Sequence, residues 1–163
     1  MFINNSKFGK MTNIKTLLYV GEDYNEHFPW GGYHVTISGR TDVPCEKLLS
    51  IVQQHLSVFP QFENEAGWIL TQSKITGYVP DETAMIMTYL KCEVLDAFVA
   101  SLAKDSLLTN LKCNLHISMH TKCQQEAETK VKEWIERRKV FRVFVVEWNG
   151  ETNKTQWFRV PSP

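Results

Sequence analysis

Two stretches of this chain place a histidine two residues ahead of a hydroxyl residue: Tyr33-His34-Val35-Thr36-Ile37 and Leu115-His116-Ile117-Ser118-Met119. Imidazole has an ordinary pKa of about 6.5, so it gives and takes protons near neutrality. Cleaving a phosphodiester asks for a base that removes a proton from the attacking oxygen and an acid that protonates the leaving one. His34 and His116 on opposite sides of one phosphorus would meet both demands, one neutral and one charged. The hydroxyls of Thr36 and Ser118 would donate hydrogen bonds to the non-bridging oxygens and stabilise the charge developing there. This chemistry needs no metal, in keeping with the lack of a carboxylate cluster beside either motif. Which imidazole is base and which is acid depends on ligand direction and stays open at this point.

The residues between and around each pair say what must position it. Successive side chains of an extended strand point to opposite faces. His34 and Thr36 therefore share one face while Tyr33, Val35 and Ile37 share the other. His116 and Ser118 stand together in the same way. One such triplet arises readily by chance, and a lone strand histidine is most often structural or solvent-facing. Two copies, both flanked by apolar residues at the alternate positions, make a much stronger signal. If the strands lie side by side, one groove holds two imidazoles and two hydroxyls.

On these residues the chain resembles the 2H phosphoesterase superfamily, named for its two His-x-Thr/Ser motifs, and the resemblance covers roughly residues 14 to 160 in motif spacing and element order. It implies an α+β fold of two pseudo-symmetric lobes of antiparallel sheet with about three helices, the motif strands lining a central cleft. It implies that His34, Thr36, His116 and Ser118 are catalytic. The implied substrates carry a vicinal ribose hydroxyl or a cyclic phosphate: 2′,5′-linked oligonucleotides, 2′,3′-cyclic ends or ADP-ribose cyclic phosphate. Short length and compact spacing look most like the viral and cellular 2′,5′-oligoadenylate phosphodiesterases. Those enzymes degrade the second messenger that activates RNase L, a route of innate immune evasion, with an adjacent ribose hydroxyl as nucleophile. Ser118 stands where threonine is commoner, a permitted variation. Three rivals stay open: a 2H enzyme acting on cyclic phosphates or cyclic nucleotide signals, an idle module that sequesters a nucleotide, and a structural domain with accidental motifs.

Composition narrows the partners. The 163 residues suit one domain with a continuous core, and 43% apolar with 22% charged residues is ordinary for a globular protein. Formal net charge is zero, so no global field recruits long duplex nucleic acid or a membrane. A short oligonucleotide or a cyclic-phosphate nucleotide, held by a local site on a monomer, is the expected partner. Cys45, Cys92, Cys113 and Cys123 form no C-x-x-C pair and no zinc-finger spacing. Cys123 lies near His116 and His120, but too few other ligands converge there for a metal, and no cofactor is expected. Residues 1–11 lack a signal-peptide core, and no apolar run approaches the ~18 residues of a membrane span. The expected setting is reducing and cytoplasmic.

Element order follows from periodicity. Residues 1–12 read as a loosely held arm, and 13–163 as the single domain. Ile14 to Val20 is a strand, and Phe28-Pro29-Trp30-Gly31-Gly32 is a turn-rich lead into the first motif strand, which Gly39 ends. Leu48, Leu49, Val52 and Leu56 mark a helix from about Pro44 to Phe59. Trp68 to Gln72 and Lys74 to Val79 are two short strands, Pro80-Asp81-Glu82 a turn, and Ala84 to Lys91 a further strand. Val94, Leu95, Phe98, Val99 and Leu102 stripe a second helix, and the second motif strand runs from about Leu111 to His120. A third helix buries Ala127, Val131, Trp134 and Ile135 and closes on Arg137-Arg138-Lys139. Val140 to Trp148 and Thr155 to Val160 form a hairpin around Asn149-Gly150. A motif strand followed by a helix in each half suggests an internal duplication.

Five more residues are candidates for substrate binding. His120 follows Ser118 on the same strand face and would contact phosphate, or simply end the strand in solvent. Trp30 and Tyr78 would stack on adenine, where one base is worth roughly 1–3 kcal/mol, although core burial is the commoner fate of such rings. Lys74 and Arg40 would bring positive charge to phosphate, against the commoner reading of a solvated surface position.

Overall fold

The computed structural model describes residues 13–23, 25–26, 32–57, 68–78, 84–137 and 142–161, the side chains of 76–78 and 84 excepted. The expected arm (1–12), the Phe28–Gly31 part of the lead and the Pro80-Asp81-Glu82 turn lie outside these residues. The elements in order are β1 Ile14–Gly21, β2 His34–Thr41, α1 Cys45–Leu56, β3 Ile69–Tyr78, β4 Ala84–Lys91, α2 Glu93–Leu102, β5 His116–Thr121, α3 Gln124–Arg137, β6 Arg142–Asn149 and β7 Lys154–Arg159. They build an α+β molecule with two antiparallel sheets, ordered β2-β1-β6-β7 and β3-β4-β5. Each motif strand, β2 and β5, is the edge of its sheet.

Alternation explains both edges. In β2, Val35 and Ile37 are fully buried while His34 and Thr36 are half-buried. In β5, Ile117 and Met119 are buried, His116 and His120 half-buried, and Ser118 exposed. Burying one such aliphatic side chain contributes about 1.5–3 kcal/mol. Slipping either strand by one residue would forfeit that and drive the imidazoles inward. The helices supply the other wall: Leu48, Val52 and Leu56 from α1, Leu95, Phe98 and Leu102 from α2, and Ala127, Val131 and Trp134 from α3. One cluster of buried side chains joins all three helices to both sheets.

Four local expectations need correction. The first motif strand does not end at Gly39 but runs to Thr41, because Gly39 N–H donates to the Asn110 carbonyl at 3.0 Å and stays in the ladder. The two short strands around Ser73 are one strand, β3, whose register shifts between Leu70 and Gln72 and between Ile75 and Gly77. Bulges of this kind break alternation without breaking the strand. The second motif strand begins at His116 rather than Leu111: Leu111 makes an isolated bridge to Ser38, and the chain bends at Cys113-Asn114 before joining β4. The last hairpin forms as expected, but its turn runs from Gly150 to Asn153 rather than centring on Asn149-Gly150. Asn149 pairs with Lys154, its Oδ1 accepts from Glu151 N–H at 2.9 Å, and Asn153 takes the left-handed conformation at φ 56°.

Candidate functional site

The bridge between Ser38 and Leu111 joins the two motif strands at one end. Lys112 N–H donates to the Ile37 carbonyl at 2.8 Å, next to the Gly39–Asn110 bond. These are antiparallel pairings, so each step back along β2 is matched by one step forward past Leu111. That register carries His34 toward Leu115 and His116. The chain bends at Cys113-Asn114, beyond which β2 pairs with β1 and β5 with β4. The imidazoles are near enough that positive charge on His116 disfavours charge on His34.

Both rings are held alike. His34 Nδ1 lies 2.9 Å from the Gly32 carbonyl oxygen, and His116 Nδ1 lies 2.9 Å from that of Asn114. A carbonyl only accepts, so each Nδ1 carries a proton and donates it. In the neutral ring this leaves the Nε2 lone pair facing away from the backbone, where a base needs it. Among the described residues neither the Thr36 nor the Ser118 hydroxyl has a protein partner, whereas Ser38 Oγ donates to the Gly39 carbonyl at 3.0 Å.

The surroundings of the rings differ. Tyr19 stacks flat on His34, with centroids 4.0 Å apart and an 18° interplanar angle, and Trp157 meets His34 edge-on at 5.6 Å. Burial under these rings pushes His34 below the ordinary histidine value; the Gly32 bond opposes this and His116 adds to it. Burial also raises the Tyr19 phenol, against the Arg40 guanidinium, which lowers it. Among the described residues the ring against His116 is a tilted Tyr89, at 5.5 Å and 57°.

Directly paired residues of an antiparallel ladder share a face. Tyr89 stands opposite His116, Met87 opposite Ser118 and Met85 opposite His120, so His120 belongs to the motif face. Lys74 is exposed and pairs with Met87, which places it in the row of Ser118. Tyr78 pairs with Ala84, itself opposite Thr121, and its side chain lies outside the described residues, as does all of Trp30. Arg40 lays its guanidinium over the Trp148 ring, 3.8 Å from the centroid. Sequence reasoning passed over Tyr19, Tyr89 and Trp157, and also Arg159, which reaches the row of Thr36 through Phe144 and Tyr19. Strand pairing brings these residues to the motifs from distant segments, and no local pattern announces it.

Other chemistries find less here. No three His, Cys, Asp or Glu side chains converge as metal ligands among the described residues. All four cysteines are free, and the Cys45 thiol is pushed up to about 11 by burial and the nearby Glu147 and Glu46 carboxylates. Among the described residues no helix is long and apolar enough to cross a membrane. No family model, no curated protein and no solved structure matches the chain.

Proposed function

We propose that this chain is a phosphodiesterase of the two-histidine type that cleaves 2′,5′-linked oligoadenylate and so opposes RNase L activation. The observation that carries the reading is the matched pair of imidazoles. Each is pinned through Nδ1 to the carbonyl two residues upstream, each stands beside an uncommitted hydroxyl, and the two sense one another's charge across joined strand edges.

His34 takes the role of base, because burial and the charge of His116 both favour its neutral form. Its Nε2 removes the proton from the free ribose hydroxyl next to the scissile linkage, and that oxygen forms a bond to phosphorus. The bond from phosphorus to the leaving 5′ oxygen breaks as His116 delivers its Nε2 proton there. The products are a 2′,3′-cyclic phosphate and a free 5′ hydroxyl. Thr36 and Ser118 donate to the non-bridging oxygens, and Lys74, Arg40 and His120 surround the substrate's remaining charge.

The test is incubation with 2′,5′-triadenylate, comparing wild type with His34→Ala and His116→Ala. Turnover by wild type and its loss in both variants is the expected result. Equal turnover in all three would sink the reading. Parallel assays on 3′,5′-linked trimers, 2′,3′-cyclic ends and cyclic dinucleotides separate this substrate from those of a two-histidine enzyme acting on cyclic phosphates.

A further inference from the structure

The turn whose carbonyl orients His34 lies beside a carboxylate that is bonded to the other sheet's helix. Glu22 follows β1 and is only 7% exposed. A carboxylate is costly to bury without partners, and this one accepts a hydrogen bond from Trp134 Nε1 at 3.1 Å, 112 residues further along the chain. Trp134 belongs to α3, which packs against β3, β4 and β5, and it is fully buried, edge-on to Tyr33 at 5.7 Å and to Trp68 at 6.2 Å.

The far side of the Glu22 carboxyl lies against Gly32. A Cβ built on Gly32 would meet Glu22 Oε1 at 3.2 Å and Cγ at 3.4 Å. Gly32 also has φ +126°, a conformation that L side chains rarely adopt. In this turn the Gly32 carbonyl points at His34 Nδ1. The Asn114 carbonyl that holds His116 sits instead in an exposed bend.

We propose that Glu22 is a positioning residue for His34: tied to Trp134 of α3, it braces the Gly32 turn and so fixes the tautomer and the aim of the imidazole. The assignment rests on the reading of His34 as general base. It goes further in making that base depend on a helix packed against the opposite sheet, so that one buried carboxylate links the two half-sites.

The experiment records long-range proton–nitrogen NMR spectra of the histidine rings in wild type, Glu22→Gln, Glu22→Ala and Trp134→Phe, beside turnover of 2′,5′-triadenylate. Wild type is expected to show His34 as the Nδ1–H tautomer. Glu22→Ala should mix the tautomers and lower kcat by about 10- to 100-fold with KM within about twofold, the signature of a misaimed group. Glu22→Gln keeps an acceptor for Trp134 and should restore kcat to within about threefold of wild type. Trp134→Phe keeps ring bulk without the donor; it should shift the tautomer balance even if Glu22→Ala does not fold. Retention of the pure wild-type tautomer in Trp134→Phe, or in a folded Glu22→Ala, overturns the assignment. The NMR readout needs no turnover, so a failure of the phosphodiesterase reading leaves this test intact.

Discussion

His34 and His116 are fixed by the same device, yet the strands beside them are set one step apart. Tyr19 of β1 stands opposite Thr36 and reaches the imidazole diagonally, lying flat on it. Tyr89 of β4 stands directly opposite His116 and can only tilt against it. Opposite His34 there is Gly21 instead. A half-site with a small residue across from the histidine has room for rings to close over it, and Trp157 and Tyr19 do so. Two copies of one motif thus acquire different surroundings, and under those rings His34 is held below the ordinary histidine value; unlike environments around two like groups are what the proposed division into base and acid asks for.

The largest effect that tests this comparison is removal of either imidazole. His34→Ala and His116→Ala should each lower kcat on 2′,5′-triadenylate by roughly 10²–10⁴-fold. The double variant should lose little more than the worse single one, since the proposed base and acid would act on the same transition state. Losses that multiply in the double variant would mean that the halves work independently.

Next come the hydroxyls. In the proposed mechanism Thr36→Val and Ser118→Ala each remove one donor to the non-bridging oxygens, and a loss of about 10²-fold in kcat is expected for such a donor. Thr36 is half-buried and Ser118 exposed, so the Thr36 variant should suffer more. A larger loss at Ser118 would reverse the ranking of the two half-sites.

Much of this was legible in the chain before its fold. Apolar residues on the alternate positions set the inward faces of β2 and β5, and the stripes of α1, α2 and α3 set theirs, because these periods are local. The break before His116 was not legible. Leu111 to Leu115 reads as continuous strand, but Leu111 serves one sheet edge and His116 another. The shifts in β3 hid in the same way, since a bulge mimics a break in periodicity. Residue rows across a sheet are set by register, and register depends on non-local partners: Tyr19 meets the motif only once β1 pairs with β2, while Trp157 meets His34 and Trp134 meets Glu22 from more than a hundred residues away. Tyr19, Trp157 and Glu22 were therefore invisible as parts of the site.

A third prediction concerns stability and has no counterpart on the His116 side. A Cβ at Gly21 would lie 2.4 Å from the Tyr33 carbonyl oxygen and 2.9 Å from His34 Cα. Both are backbone atoms that cannot swing aside, so Gly21→Ala should cost about 1–3 kcal/mol, as overpacking does elsewhere, in a urea unfolding titration. The β4 position across from His116 already carries Tyr89. Tyr89→Ala should accordingly leave His116 in place. If Gly21→Ala unfolds at the wild-type urea concentration, the tight approach of β1 to β2 is not what makes the halves differ.

The smallest effect is also the most specific to His34. Its pKa in the folded protein lies below the ordinary value of about 6.5 that it has in the unfolded chain, chiefly through burial. Between those two values the unfolded chain binds more protons than the native one, so stability rises with pH there and falls on acidification. The contribution is complete above the ordinary histidine value, is lost as the pH drops toward and through the depressed value of His34, and changes no further below it. The informative quantity is a difference between proteins. Unfolding free energies of wild type and His34→Gln, each measured at about pH 7.5 and about pH 5.5, straddle the ordinary value. Wild type should lose more stability on acidification than the variant. Tyr19→Ala, which uncovers the ring, should fall between them. An equal or smaller loss in wild type would mean that Tyr19 and Trp157 do not keep His34 neutral, and the two imidazoles would then have no built-in division of labour.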